Sequence, residues 1–140
     1  MFKSASILLA AVALSACTLE TTSLAPSAPM PTPTRLHETP WQLAVINGRQ
    51  VEDALVVDMS GNFISGEAPC NHINGNYLGT GPILRFETIV TTRATCDRID
   101  LEREIIDGLL AARSGEITNG VLTIRDESGT DLMTLVPARV

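Results

Sequence analysis

From Trp41 to the C-terminus, apolar residues fall in short runs, many of them alternating with polar ones and most ending in a glycine-containing pair. WQLAVI, Trp41 to Ile46, runs into Asn47-Gly48, ALVVDM precedes Gly61-Asn62, and FISGE follows directly. NYLG and PILRFETIV come next. The alternation is clearest near the end, where Leu122 and Ile124 oppose Val121, Thr123 and Arg125, with Asn119-Gly120 before them and DESG after. Short period-two runs separated by turn pairs predict an antiparallel meander that bends into a barrel or sandwich.

One segment departs from that period. In CDRIDLEREIIDGLLAARSG, Leu101, Ile105, Ile106, Leu109 and Leu110 recur at three- and four-residue spacing, which predicts an amphipathic helix. Asp97 or Asp100 is the expected N-cap, Glu102 and Glu104 complement the positive end of the dipole, and Gly115 is the expected stop. The charged side is read as a solvated face. The apolar stripe needs a cover, and the open side of a curved sheet supplies one.

The N-terminal pattern is of another kind. MFKSASILLAAVALSAC passes from Lys3 through an apolar run, Ile7 to Leu14, into small residues that end at Cys17. The run is too short for a permanent span, which needs roughly 20 residues, and reads as a signal peptide over residues 1–16. LSAC resembles a bacterial lipobox, which implies a diacylglyceryl group on Cys17, a mature chain beginning there, and a membrane partner reached through the lipid. Acyl chains contribute roughly 0.8 kcal/mol per buried CH₂, enough for several on one cysteine to hold a small domain in place. Thr18 stands where an aspartate would retain a Gram-negative lipoprotein in the inner membrane, so the resemblance favours the outer one. Residues 17–39, rich in Ser, Thr and Pro, read as an extended tether with His37 solvated, and 40–140 as one domain.

Charge narrows the partners. Without Lys3, the only lysine, 9 Arg face 16 Asp and Glu, a net charge of −7. No basic patch remains to neutralise phosphate, so nucleic acid is not an expected partner.

The densest chemistry lies in GEAPCNHINGNY, Gly66 to Tyr77. Cys70 with His72 two residues on could act as a nucleophile and base, which requires a free thiolate. In an oxidising periplasm, however, Cys70 and Cys96 remain as an even pair, and a disulfide between them is the simpler reading. It closes a loop of about 27 residues and stabilises by roughly 3 to 4 kcal/mol in the chain-entropy model. Zinc on Cys70, His72 and Cys96 lacks a fourth ligand and any paired spacing. Asn71, Asn74 and Asn76 read as turn formers.

Other reaction classes find no motif: G-x-S-x-G, H-E-x-x-H, a P-loop and a dinucleotide turn are all missing from the sequence. No two of Glu67, Glu87 and the helix acids are singled out as a glycosidase pair. Asp126 to Asp131 reads as a hairpin turn and not a calcium loop. No cofactor is implied.

GEAPCNHINGNY, then TTRATC, then the helix with LEREIIDGLL, and finally GVLTIRDESG together resemble the META domain, also called HslJ-like, from Trp41 to Leu135. The specific elements are Cys70-Asn71 followed by Gly75 and Tyr77, coupled to the threonine-rich segment ending in Cys96. Pro69 and Thr95 depart from that pattern, where glycine and a small apolar residue are usual. The resemblance implies a mainly β, α+β fold: a small cracked antiparallel β-barrel with one α-helix packed against it. Relatives are often envelope lipoproteins, some linked to heat shock or antibiotic tolerance, and the fold is similar to lipid-binding pilotins. It carries no catalytic residues over, and a shared fold does not transfer an activity.

The expectation is therefore a non-enzymatic, lipid-anchored periplasmic module that binds an envelope protein or a lipid, with an apolar groove between helix and sheet bordered by Phe63, Tyr77 and Phe86. Core packing is the plainer account of those aromatics. A Cys70/His72 enzyme and a purely structural module are the alternatives.

Overall fold

The computed structural model describes residues 34–139. The signal peptide, Cys17 and the tether up to residue 33 lie outside the described residues.

Nine strands and one helix follow in the order β1 (Trp41–Ile46), β2 (Arg49–Gln50), β3 (Val56–Ser60), β4 (Phe63–Glu67), β5 (His72–Leu78), β6 (Arg85–Thr91), α1 (Ile99–Ala111), β7 (Ser114–Thr118), β8 (Val121–Arg125) and β9 (Asp131–Pro137). The strands form one antiparallel sheet in the order β6-β5-β4-β3-β1-β9-β8-β7, with β2 paired to the end of β1. The sheet curls without closing. Instead of pairing β6 with β7, the two ends meet through backbone bonds from Leu84 N–H to the Arg113 carbonyl (3.0 Å) and from Gly115 N–H to the Gly81 carbonyl (2.9 Å).

Alternation gives each strand one buried face. Leu43, Val57, Met59, Ile64, Ile73, Leu122, Ile124, Met133 and Leu135 point inward and are almost fully buried. The helix lays Ile105, Leu109 and the following Ala112 onto this core, and burying each large aliphatic side chain contributes about 1.5–3 kcal/mol. Outside the core, the helix is held at its start by Arg98, which donates to the Glu52 and Asp53 carbonyls (2.8 and 3.0 Å). One turn in, Glu104 accepts from Asn47 Nδ2 (2.9 Å) and pairs with Arg49 (2.5 Å). Asn47 and Gly48 carry the positive φ expected of this turn pair.

Several local expectations are corrected. Arg98, not Asp97 or Asp100, occupies the N-cap position, and no side chain caps it. The helix ends at Ala111, with Ala112 beyond it in extended backbone. Gly115 is no stop; it lies within β7, where a Cβ would come 2.7 Å from Leu84 Cδ2. Asn74 and Asn76 stand inside β5, not in a turn. The Asn-Gly-Asn spelling hides the period: Ile73, Gly75 and Tyr77 face in, while Asn74, Asn76 and Leu78 face out. The folded unit also begins before Pro40, because Leu36 is buried and its carbonyl accepts the Trp41 indole N–H at 2.7 Å.

Candidate functional site

The stretch between β4 and β5 turns through Ala68 to Asn71, with Ala68 N–H bonded to the Asn71 carbonyl at 2.8 Å. This turn sets Cys70 against Cys96, and the two form a disulfide with their Cα atoms 5.6 Å apart. Asn71 is buried beside it and uses its whole hydrogen-bonding capacity. Its Nδ2 donates to Glu102 Oε1 (2.6 Å) and the Ala94 carbonyl (3.0 Å). Its Oδ1 accepts from Ala94 N–H (2.7 Å) and the Thr92 hydroxyl (2.8 Å). Glu102, only 2% exposed, accepts with its other oxygen from Cys70 N–H at 2.8 Å. The asparagine expected to form a turn, and the glutamate expected on a solvated face, thus form one buried network that joins the β4–β5 turn, the segment after β6, and α1.

A carboxylate so deeply buried is costly unless paired or hydrogen-bonded, and here both oxygens are engaged. The geometry makes Glu102 a clamp: neither oxygen points to open space where it could act as a base. Among the described residues no buried side-chain polar atom lacks a partner. Sequence spacing carried a signal for this, since Glu102, Ile105 and Leu109 fall on one stripe of α1.

His72 and Cys70 are not brought together as nucleophile and base. The Cys70 sulfur is bonded to Cys96, and His72 Nδ1 lies 2.7 Å from Glu67 Oε1 in an exposed cross-strand pair. Among the described residues no group of three or more His, Cys, Asp or Glu side chains could hold a metal ion.

The three aromatics separate. Tyr77 and Phe86 are buried and lie in tilted contact, ring centroids 6.1 Å apart, and burial raises the Tyr77 phenol above its ordinary range. Phe63 points the other way and is 67% exposed. The single groove expected between helix and sheet is therefore not bordered by all three. Gly75, the remaining motif residue, is fixed by close packing, since a Cβ there would collide with the Thr88 carbonyl oxygen.

Phe63 instead begins an exposed face on β4, β5 and β6. Register places Phe63 beside Asn76 and Asn76 beside Thr88; the next outward row is Ser65, Asn74 and Val90. These residues line a shallow hollow of about 410 Å³. A second hollow, of about 420 Å³, lies on the other side of the ring and is lined by Gly61, Asn62, Asn76, Tyr77, Leu78 and Glu87. The aromatic ring stands between them. Composition gave no sign of this face, because its residues are ordinary strand and turn formers.

A solved structure with the same fold, an NMR structure of a protein from Burkholderia xenovorans, superposes with a TM-score of 0.60 at 19% identity, covering 84% of this chain and 97% of that one. No curated protein matches the chain. The family model described as the META domain matches residues 34–138, the stretch that holds the whole sheet, the helix and the Asn71–Glu102 network. The chain belongs to the META domain family.

Proposed function

We propose that this protein is a membrane-anchored binding module on the periplasmic side of the cell envelope, held by lipid on Cys17 to the outer membrane, and acting without catalysis in envelope stress or antibiotic tolerance. The observation that carries the binding role is the exposed Phe63 face. Phe63 at 67% exposure, with Leu78 and Val90 also exposed in the two hollows it lines, makes an apolar patch of the kind that marks an interaction site. The anchor rests on the lipobox-like LSAC and on the Pro-rich segment after it. The non-catalytic reading rests on Cys70 and Glu102, the two groups best suited to chemistry, being engaged by Cys96 and by Asn71.

The test is the intact mass of protein extracted from membranes without reductant and with free thiols alkylated, alongside survival of cells carrying Phe63→Ala. A chain starting at Cys17 with acyl mass, two hydrogens missing, no alkyl adduct, and impaired survival of the variant is the expected result. An adduct on Cys70 returns the thiol to chemistry and overturns the non-catalytic reading. Absence of acyl mass overturns the anchor, and normal survival overturns the role of the face.

A further inference from the structure

We propose that the outer face of β4 to β6 around Phe63 binds an uncharged, N-acetylated sugar polymer. This deepens the binding-module reading above and rests on it.

The chain is strongly acidic, yet none of the residues lining the 410 Å³ hollow is ionisable: Phe63, Ser65, Asn74, Asn76, Thr88 and Val90 form it with the backbone of Ile64 and Gly75. Phosphate, carboxylate or anionic lipid would meet no cation there, and a cationic ligand no counter-charge. A neutral ligand is the one this hollow does not penalise.

Phe63 offers a flat apolar ring, to which the C–H face of a pyranose is complementary in shape and in the sign of its partial charges. Asn74 and Asn76 both face outward from β5, two residues apart, so their amides stand about 7 Å from each other along the strand. Each amide has two donor hydrogens and a carbonyl acceptor, the complement of hydroxyls and acetamido groups. Thr88 and Ser65 add hydroxyls on either side, and Glu87 adds a single acceptor in the second hollow. Amides and hydroxyls interrupt the apolar area between Phe63 and Val90, so a lipid tail or a purely apolar protein helix would leave them desolvated without partners.

Both hollows are open, and the ring stands between them, so a ligand that continues past the site on both sides fits better than a small molecule enclosed at one end. The chain enters the sheet at Trp41, beside Val57, whereas Phe63 lies beside Ser60, three residues and about 10 Å further along β3.

The test is a titration of the isotopically labelled full chain with the β-1,4-linked tetramer of N-acetylglucosamine, read by NMR. Expected are saturable shifts confined to residues 63–65, 74–76 and 88–90 and to the Asn74 and Asn76 side-chain amides, weakened about tenfold by Phe63→Ala and severalfold by Asn76→Ala. Phe63→Ala should leave the unfolding midpoint in place. Shifts that Phe63→Ala does not weaken, or none up to about 10 mM sugar, overturn the proposal. Parallel titrations with zwitterionic phospholipid vesicles and with increasing protein concentration separate the two readings. A response of this face to vesicles or to self-association, and not to sugar, overturns the glycan and keeps the binding module, while silence in all three removes both.

Discussion

Asn71 and Glu102 lie 31 positions apart in sequence and 2.6 Å apart in space, and the Cys70 N–H reaches the second Glu102 oxygen at 2.8 Å. The helix is therefore fixed to the β4–β5 turn by a buried carboxylate as well as by apolar contact. Asn71→Ala leaves that carboxylate with one of its two donors gone. The expected loss of unfolding free energy is about 3 kcal/mol, measured by urea denaturation. Glu102→Gln, which keeps the shape and one acceptor, costs less, about 1–2 kcal/mol. A double-mutant cycle should show strong coupling between the two; additive losses would mean that they act independently.

The disulfide adjoins this network and spans 26 positions. Reducing it, or replacing both Cys70 and Cys96 by Ser, should lower stability by roughly 3–4 kcal/mol through the freer unfolded chain, seen as a lower urea midpoint. Since Cys70 also orients the N–H that Glu102 accepts, the reduced protein should lose more from Asn71→Ala than the oxidised one. Equal losses would show that the bridge constrains only the unfolded state.

Glu104 gives the protein an acid-side pH dependence. Its carboxyl is held below the ordinary glutamate range, first by the hydrogen bond from Asn47 and then by that from Arg49 and its charge. A lowered folded value means that the unfolded chain takes up the proton first as pH falls. The contribution is complete above the ordinary glutamate range and disappears as pH drops through the folded value. With the Glu104 side chain 30% exposed, the contribution is about 1 kcal/mol or less. Glu104→Gln should therefore lose that contribution at pH 7, come level with the parent at acid pH where Glu104 is itself protonated, and so flatten part of the stability decline below about pH 5, measured as urea midpoints across that range. Glu116, lowered chiefly by the hydrogen bond to Arg125, and Asp126, lowered chiefly by that to Ser128, leave a residual slope.

The meander and the helix were legible because Leu122 and Ile124 alternate strictly and Ile105 and Leu109 keep helical spacing, so each pattern states which face is buried. The pairing of Cys70 with Cys96 was legible from the even count of cysteines left once Cys17 is set aside for the expected anchor. The Asn71–Glu102 network was not, because burial of a polar side chain is decided by a partner far along the chain, and local propensity assigns asparagine to turns and glutamate to solvent. The same propensity misplaced β5, where Gly75 and two asparagines imitate a loop. The aromatic group failed for a different reason. Strand parity separates Phe63 from Tyr77 and Phe86, and a β-bulge between Asn76 and Tyr77 changes the register with β6 in between.

Gly75 and Gly108 offer a contrast that measures how much of this fold depends on close backbone approach. At Gly75 a Cβ would run into the Thr88 carbonyl oxygen and come 2.7 Å from Ile89 Cδ1. Backbone of a paired strand cannot yield without breaking the β5–β6 ladder, so Gly75→Ala should cost about 3 kcal/mol or more, or prevent folding. At Gly108, within α1, the obstacle is the terminal methyl of Met133, the far end of an unbranched and adaptable side chain. Alanine there gains about 1 kcal/mol of helix propensity over glycine, which offsets most of the cost of moving the methyl. Gly108→Ala should therefore lie within about 1 kcal/mol of the parent in a urea titration. Equal losses at the two positions would mean that the core around Met133 is as unyielding as the strand ladder.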